Sequence, residues 1–129
     1  MRHAAVAVGL IRAASGLSFL VAPERAQRLW STREATDPTA RLLLRSMGYR
    51  DALIGGCLLG AGLRGSPTTG RWFLASAGAD AADLVGGLEN RHELSDRDHV
   101  IGIGGAALGV AIGLGGWWAI RASAGHEPS

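Results

Sequence analysis

Two aspartates three residues apart, Asp80 and Asp83, sit inside an apolar stretch from Trp72 to Leu88. On a helix that spacing projects both carboxyl groups from one face at neighbouring depths. Two acids in a low-dielectric site oppose each other's ionisation, so one is expected to stay protonated beside its ionised neighbour. A neutral carboxylic acid next to a carboxylate is the equipment for general acid–base work on a lipophilic molecule. Arg12, Arg45 and Arg50 also lie within apolar stretches, as does Asp51. Arginine grips a carboxylate through two parallel hydrogen bonds, so Arg12 or Arg45 is expected to hold one of the paired acids ionised. Tyr49, one turn beyond Arg45, could orient a substrate through its hydroxyl. Arg50 and Asp51 are candidate ligand-binding residues. Arg50 is turned from Arg45 by about 140° at ~100° per residue, so the two arginines should serve different partners.

The same residues support other chemistry. Buried Arg–Asp pairs can do no more than set helix register, and a file of intramembrane charges can also pass protons or ions. Two functional classes therefore stand side by side: an acid–base isomerase or cyclase acting on a lipophilic small molecule, and a non-catalytic membrane binding or structural subunit.

The elements that must position these groups are four apolar windows, residues 4–22, 42–63, 72–88 and 100–120. The last runs from Val100 to Ile120 without one charged side chain and is followed at once by Arg121. About 20 apolar residues at ~1.5 Å each match a hydrocarbon core of ~30 Å, and in lipid only helices or closed barrels satisfy their backbone groups. No two-residue alternation supports a barrel. The expected fold is all-α, a single four-helix transmembrane bundle over residues 1–129 in the cell membrane. An unpaired charge near mid-bilayer costs at least ~2.5–3.5 kcal/mol, so Arg12, Arg45, Arg50, Asp51, Asp80 and Asp83 are expected to pair inside the bundle.

Local chemistry marks the boundaries. Asp37 before Pro38 reads as an N-cap with proline at the first helical position, and Gly65-Ser66-Pro67 as a turn. Ser95 followed by Asp98 resembles a capping box with the shorter acid. Pro23 ends the first window, and Glu24–Trp30 suits a short interfacial helix with Ala26, Leu29 and Trp30 inward. Met1-Arg2-His3 before apolar residues resembles a signal peptide, but Arg12 interrupts the apolar run and Pro23 is poor for cleavage, so the segment is expected to remain as the first span.

The 20 glycines fall into stripes: Gly56 and Gly60, then Gly78, Ala82 and Gly86, then Gly105, Gly109 and Gly113. Small residues every four positions let helix backbones approach closely in lipid, within the chain, in a homo-oligomer or against another membrane partner. Four spans place both ends of the chain on one side with Arg2, Arg64, Arg71 and Arg121. The loops with Arg25, Arg28, Arg33, Arg41, Arg91 and Arg97 lie opposite and are weakly favoured as cytoplasmic.

Composition excludes several classes. The formal net charge of +2 and the absence of any arginine-rich run argue against nucleic acid. One cysteine, Cys57, rules out an internal disulfide and a cysteine-based zinc site. Glu93, Asp96 and Asp98 near His92 and His99 lack any recognised ligand spacing, so neither metal nor cofactor is expected. His3, His92, His99 and His126 all lie at or beyond window ends, away from any Ser–His–Asp arrangement.

At these residues the chain resembles a family of short four-helix membrane proteins, common in GC-rich bacteria and catalogued as a domain of unknown function. The likeness rests on Gly9-Leu10-Ile11-Arg12, Pro23, Asp37-Pro38-Thr39-Ala40-Arg41, Arg45, Gly48, Arg50-Asp51, Gly55, Trp72 and Asp80-Ala81-Ala82-Asp83, from about Gly9 to Leu88. It implies the four-helix fold and supplies no activity.

Overall fold

In the computed structural model, residues 1–30 and 37–125 are described. Arg33, His126 and the side chain of Trp30 lie outside them. The described chain is helical: α1 (Arg2–Val21), α2 (Pro23–Trp30), α3 (Pro38–Arg64), α4 (Thr69–Glu89) and α5 (Asp96–Ala124), with a 3₁₀ turn at Arg91–Glu93. Each expected window lies inside one of the long helices to within a residue.

The helix ends follow their capping chemistry. The Asp37 carboxylate accepts from the Ala40 amide at 3.4 Å, and Pro38 opens α3. Gly65 ends that helix in the left-handed conformation, φ 60°. The Ser66 amide then donates to the Ala61 carbonyl and the Gly65 amide to that of Gly62, the closure that only a residue at ease with positive φ allows. The Ser95 hydroxyl accepts from the Asp98 amide at 3.2 Å, as a helix start at that point requires. The first full turns of α5, His99–Gly104, are wound as a π-helix.

Helices α1 and α3 run antiparallel with their backbones almost touching, as do α4 and α5, while the two hairpins meet more sparsely. Glycines permit the close approach in the first hairpin. A methyl group at Gly16 would strike the Ala52 amide and the Gly48 carbonyl, and one at Gly55 would strike the Ala13 amide and the Gly9 carbonyl. Gly9 and Gly16 thus face Gly48, Gly55 and Gly62 in stripes seven residues apart. This corrects the expected α3 stripe, because a side chain at Gly56 would meet nothing within 4 Å. In α4, Gly78 and Gly86 also face open space, and α5 packs instead against Phe73, Ala77 and Asp80 through Gly116, Gly113 and Gly109. The expected short helix forms as α2 with Ala26 buried, but Leu29 is 73 % exposed rather than inward.

Many large apolar side chains lie on the outside of the bundle. The centre holds small residues such as Ala5, Ala61, Ala77, Ala79 and Ala106, with Leu58 and Phe73 the only large side chains fully buried among the described residues. Leu10, Leu17, Leu43, Leu53, Val85, Leu108 and Trp118, spread over all four long helices, point outward. Two helices, α1 and α5, are long and apolar enough to cross a membrane. Helices α3 and α4 are long enough but carry Arg45, Arg50, Asp51, Asp80 and Asp83, which lower their hydropathy.

Candidate functional site

Three of the four long helices carry a charged residue near the middle. Arg12 lies halfway along α1, Asp51 is the central residue of α3, and Asp80 is one residue past the centre of α4. Antiparallel packing of equal-depth helices brings these midpoints to one level. Opposite charges meet there. Arg12 Nη2 donates to Asp51 Oδ1 at 3.0 Å, and Arg12 Nη1 donates to Asp80 Oδ2 at 2.9 Å and to Ser76 Oγ at 3.0 Å. Arg50 Nε donates to the same Asp51 oxygen at 3.1 Å. Its two terminal nitrogens grip both oxygens of Asp83 at 3.0 and 2.8 Å.

The result is a chain of alternating charge, Asp80–Arg12–Asp51–Arg50–Asp83, drawn from three helices. Its Asp80 end is sheltered: the side chains of Arg12 and Asp80 are 12 % and 13 % exposed, against 33 % and 39 % for Arg50 and Asp83. Arg12 ties the hairpins together, because its guanidinium rises from α1 and bonds both α3 and α4. Its Nε is buried without a hydrogen-bond partner among the described residues, an unsatisfied donor of the kind that native interiors hold few of.

Five of the expected charged residues therefore gather, with Arg12, Arg50, Asp51, Asp80 and Asp83 in direct contact. Asp80 and Asp83 share a helix face as their spacing requires, yet each takes a different arginine. Arg45 and Tyr49 are not part of the cluster, which corrects the expectation placed on them. Arg45 is exposed and makes no ion pair among the described residues, and Tyr49 is 61 % exposed. Tyr49 lies two positions from Asp51, where a helix turns the side chain to the opposite face. Arg45 lies six positions away, about 9 Å along the axis at ~1.5 Å per residue, below the level of the network.

The sheltered end of the charge chain opens on a cavity of about 290 Å³. Arg12, Asp51, Ser76 and Asp80 form its polar part, and Val8, Ile11, Ile112, Gly105 and Gly109 its apolar walls, with Ser15 beside them. Ile11 is 71 % exposed, so the cavity opens sideways between α1 and α5. Ser76 and Gly109 are the participants that the reading of charges missed. Ser76 lies four residues before Asp80, on the same face, and that spacing is the signal that could have found it. Gly109 was visible only as a packing glycine. Its role is to leave room for the Asp80 carboxylate, since an added methyl group would come within 2.6 Å of Asp80 Cγ.

Fold and site together define an all-helical protein with an ion-pair network at mid-height and a side-opening, largely apolar cavity above it. The chain belongs to the family described as a domain of unknown function (DUF4267), which it matches over residues 9–119. The match extends past Leu88 through most of α5, so that helix is part of the family's pattern. No curated protein and no solved structure matches the chain.

Proposed function

We propose that this is a multi-pass membrane protein that binds a small, mainly hydrocarbon molecule from the bilayer and holds its polar group on the Arg12–Asp80–Ser76 cluster. The observation that carries the reading is the cavity itself: apolar walls converge on a few fixed polar groups, the usual make-up of a small-molecule site. Large apolar side chains exposed on all four long helices support a lipid environment, since soluble monomers rarely leave large apolar areas uncovered. In that setting Arg50, Asp51, Asp80 and Asp83 pair with one another and with Arg12, as intramembrane charges must, while Arg45 stays exposed nearer the start of α3. The opening between α1 and α5 would admit a molecule sideways from lipid.

Acid–base isomerisation or cyclisation remains the catalytic form of this reading. Asp80, kept ionised by Arg12, would then take a proton from one carbon of the bound molecule on Oδ1, which has no hydrogen bond among the described residues, and return it at another carbon. Asp83 would sit outside the reaction. The non-catalytic alternative draws support from Arg12 itself, whose bonds to α3 and α4 fasten the two hairpins whether or not anything occupies the cavity.

Gly105 supplies the test of binding. It lines the cavity, and a Cβ added there would meet no atom within 4 Å, so Gly105→Leu should enter without backbone displacement and occupy the site. Loss of hydrophobic-ligand binding with unchanged thermal stability is the expected result, and undiminished binding would refute the cavity as the site. Membrane placement of α3 is checked with a cysteine at the outward-facing Leu53 in a Cys57→Ser background. It should resist an impermeant maleimide in intact vesicles and react after detergent is added. Labelling before detergent would refute the multi-pass arrangement.

A further inference from the structure

The charge chain does not cancel. Two guanidiniums, Arg12 and Arg50, face three carboxylates, Asp51, Asp80 and Asp83, which leaves one negative charge (2 − 3 = −1). Position along the chain shows where it goes unmet. Asp51 is shared between two arginines, and Asp83 has both oxygens held by Arg50. Among the described residues neither Asp80 Oδ1 nor Asp51 Oδ2 has a hydrogen-bond partner, and of these two acids only Asp80 meets a single arginine. Asp80 is also the sheltered terminus that lines the cavity. The charged groups on the cavity wall repeat the imbalance, with Arg12 against Asp51 and Asp80.

Resting on the binding reading above, we infer that the cavity takes a lipophilic monocation, an amphiphile bearing a protonated amine, whose ammonium group bonds Asp80 Oδ1. Each feature of the site then has a use. The ammonium donates hydrogen bonds to an acceptor that is otherwise free, and its charge brings the network to zero. The hydrocarbon part lies along Val8, Ile11 and Ile112. Arg12 cannot do the same for an anionic ligand, because its terminal nitrogens already bond Asp51, Asp80 and Ser76 and its remaining donor, Nε, is buried out of reach. An anion would have to approach past two carboxylates. In low dielectric a charge contact at about 4 Å is worth several-fold more than in water, so the sign of the ligand should dominate selection.

Three probes with one hydrocarbon skeleton separate the possibilities: 4-phenylbutylamine, protonated at neutral pH, 4-phenylbutanol and 4-phenylbutyrate. Binding is measured by calorimetry on the full chain in phosphatidylcholine nanodiscs, with protein-free discs as the blank. The amine should bind at least about tenfold more tightly than the alcohol, a ratio set by roughly 1.4 kcal/mol, and the carboxylate weakest. Asp80→Asn should reduce the amine to the level of the alcohol. Should that variant fail to fold, the ranking of the three probes on the unmodified protein decides alone. Equal binding of amine and alcohol would mean that a proton, not a ligand, cancels the surplus charge, and would overturn the inference while leaving the cavity a binding site. So would tighter binding of the carboxylate. No binding of any probe would overturn both.

Discussion

Gly109 of α5 lies directly against the carboxylate of Asp80 on α4, so the helix backbone itself forms one wall of the charged site. A methyl group there would contact Asp80 Oδ2, lie 2.6 Å from Cγ and 3.1 Å from Cβ. The carboxylate could swing aside only by leaving Arg12, and Cβ is fixed to the helix. Gly109→Ala should therefore destabilise the protein by about 1–3 kcal/mol, as overpacking does. Gly105→Ala, one turn earlier and facing open space, should be neutral or stabilising by up to about 1 kcal/mol, from helix propensity alone. Unfolding in mild detergent measures both, and equal effects would contradict the packing of α5 on Asp80.

Adjacent glycines on α3 make a second matched pair. Gly55 is buried where α1 crosses, and an added methyl group would meet the Ala13 amide and lie 2.8 Å from the Gly9 carbonyl. These are backbone atoms and cannot rotate away, so the helices would have to separate. Gly56 faces outward with nothing within 4 Å. Gly55→Ala should lower the unfolding midpoint sharply, and Gly56→Ala should leave it unchanged or slightly raised. If the two variants behaved alike, the α1–α3 interface would be rotated from the one described.

The two arginines of the network should differ in consequence. Arg12→Gln strands Asp80 and leaves Asp51 with Arg50 alone, at a site where the side chains of Arg12, Asp51 and Asp80 are 12–17 % exposed. Removing one partner of a buried pair costs on the order of 3–5 kcal/mol, so this variant should insert poorly or unfold readily. Arg50→Gln breaks a half-exposed bidentate contact to Asp83, where solvent screens the loss to about 1 kcal/mol or less, and leaves Asp51 still held by Arg12. Comparable losses, read from expression level and unfolding midpoint, would show that the network is not graded from a sheltered end to an open one.

Much of this architecture is legible in the amino-acid sequence because it depends on neighbours along the chain. The apolar windows predict the four long helices, and Asp37-Pro38, Gly65 and Ser95 predict their ends, since capping involves residues three or four apart. The opposed charge types at mid-window also announce a paired cluster, because isolated charges there would be too costly. Helical spacing likewise places Asp80, Asp83 and Ser76 on one face.

What spacing along one helix cannot supply is how that helix is turned toward the others. With glycine on several faces of α3, α4 and α5, more than one stripe had the spacing for close packing. Only the packed structure selects Gly48, Gly55 and Gly62 over Gly56 and Gly60, and turns Gly78 and Gly86 outward. The same rotation carries Tyr49 to the outside, and the axial distance from Asp51 leaves Arg45 below the network. The choice of partners is tertiary as well. Asp80 meets Arg12 and Asp83 meets Arg50 because antiparallel packing sets the midpoints of α1, α3 and α4 at one height, with one turn separating the two contacts. The cavity belongs wholly to this level, arising where two tightly packed hairpins meet loosely and neither helix fills the space between Ile11 and Gly105.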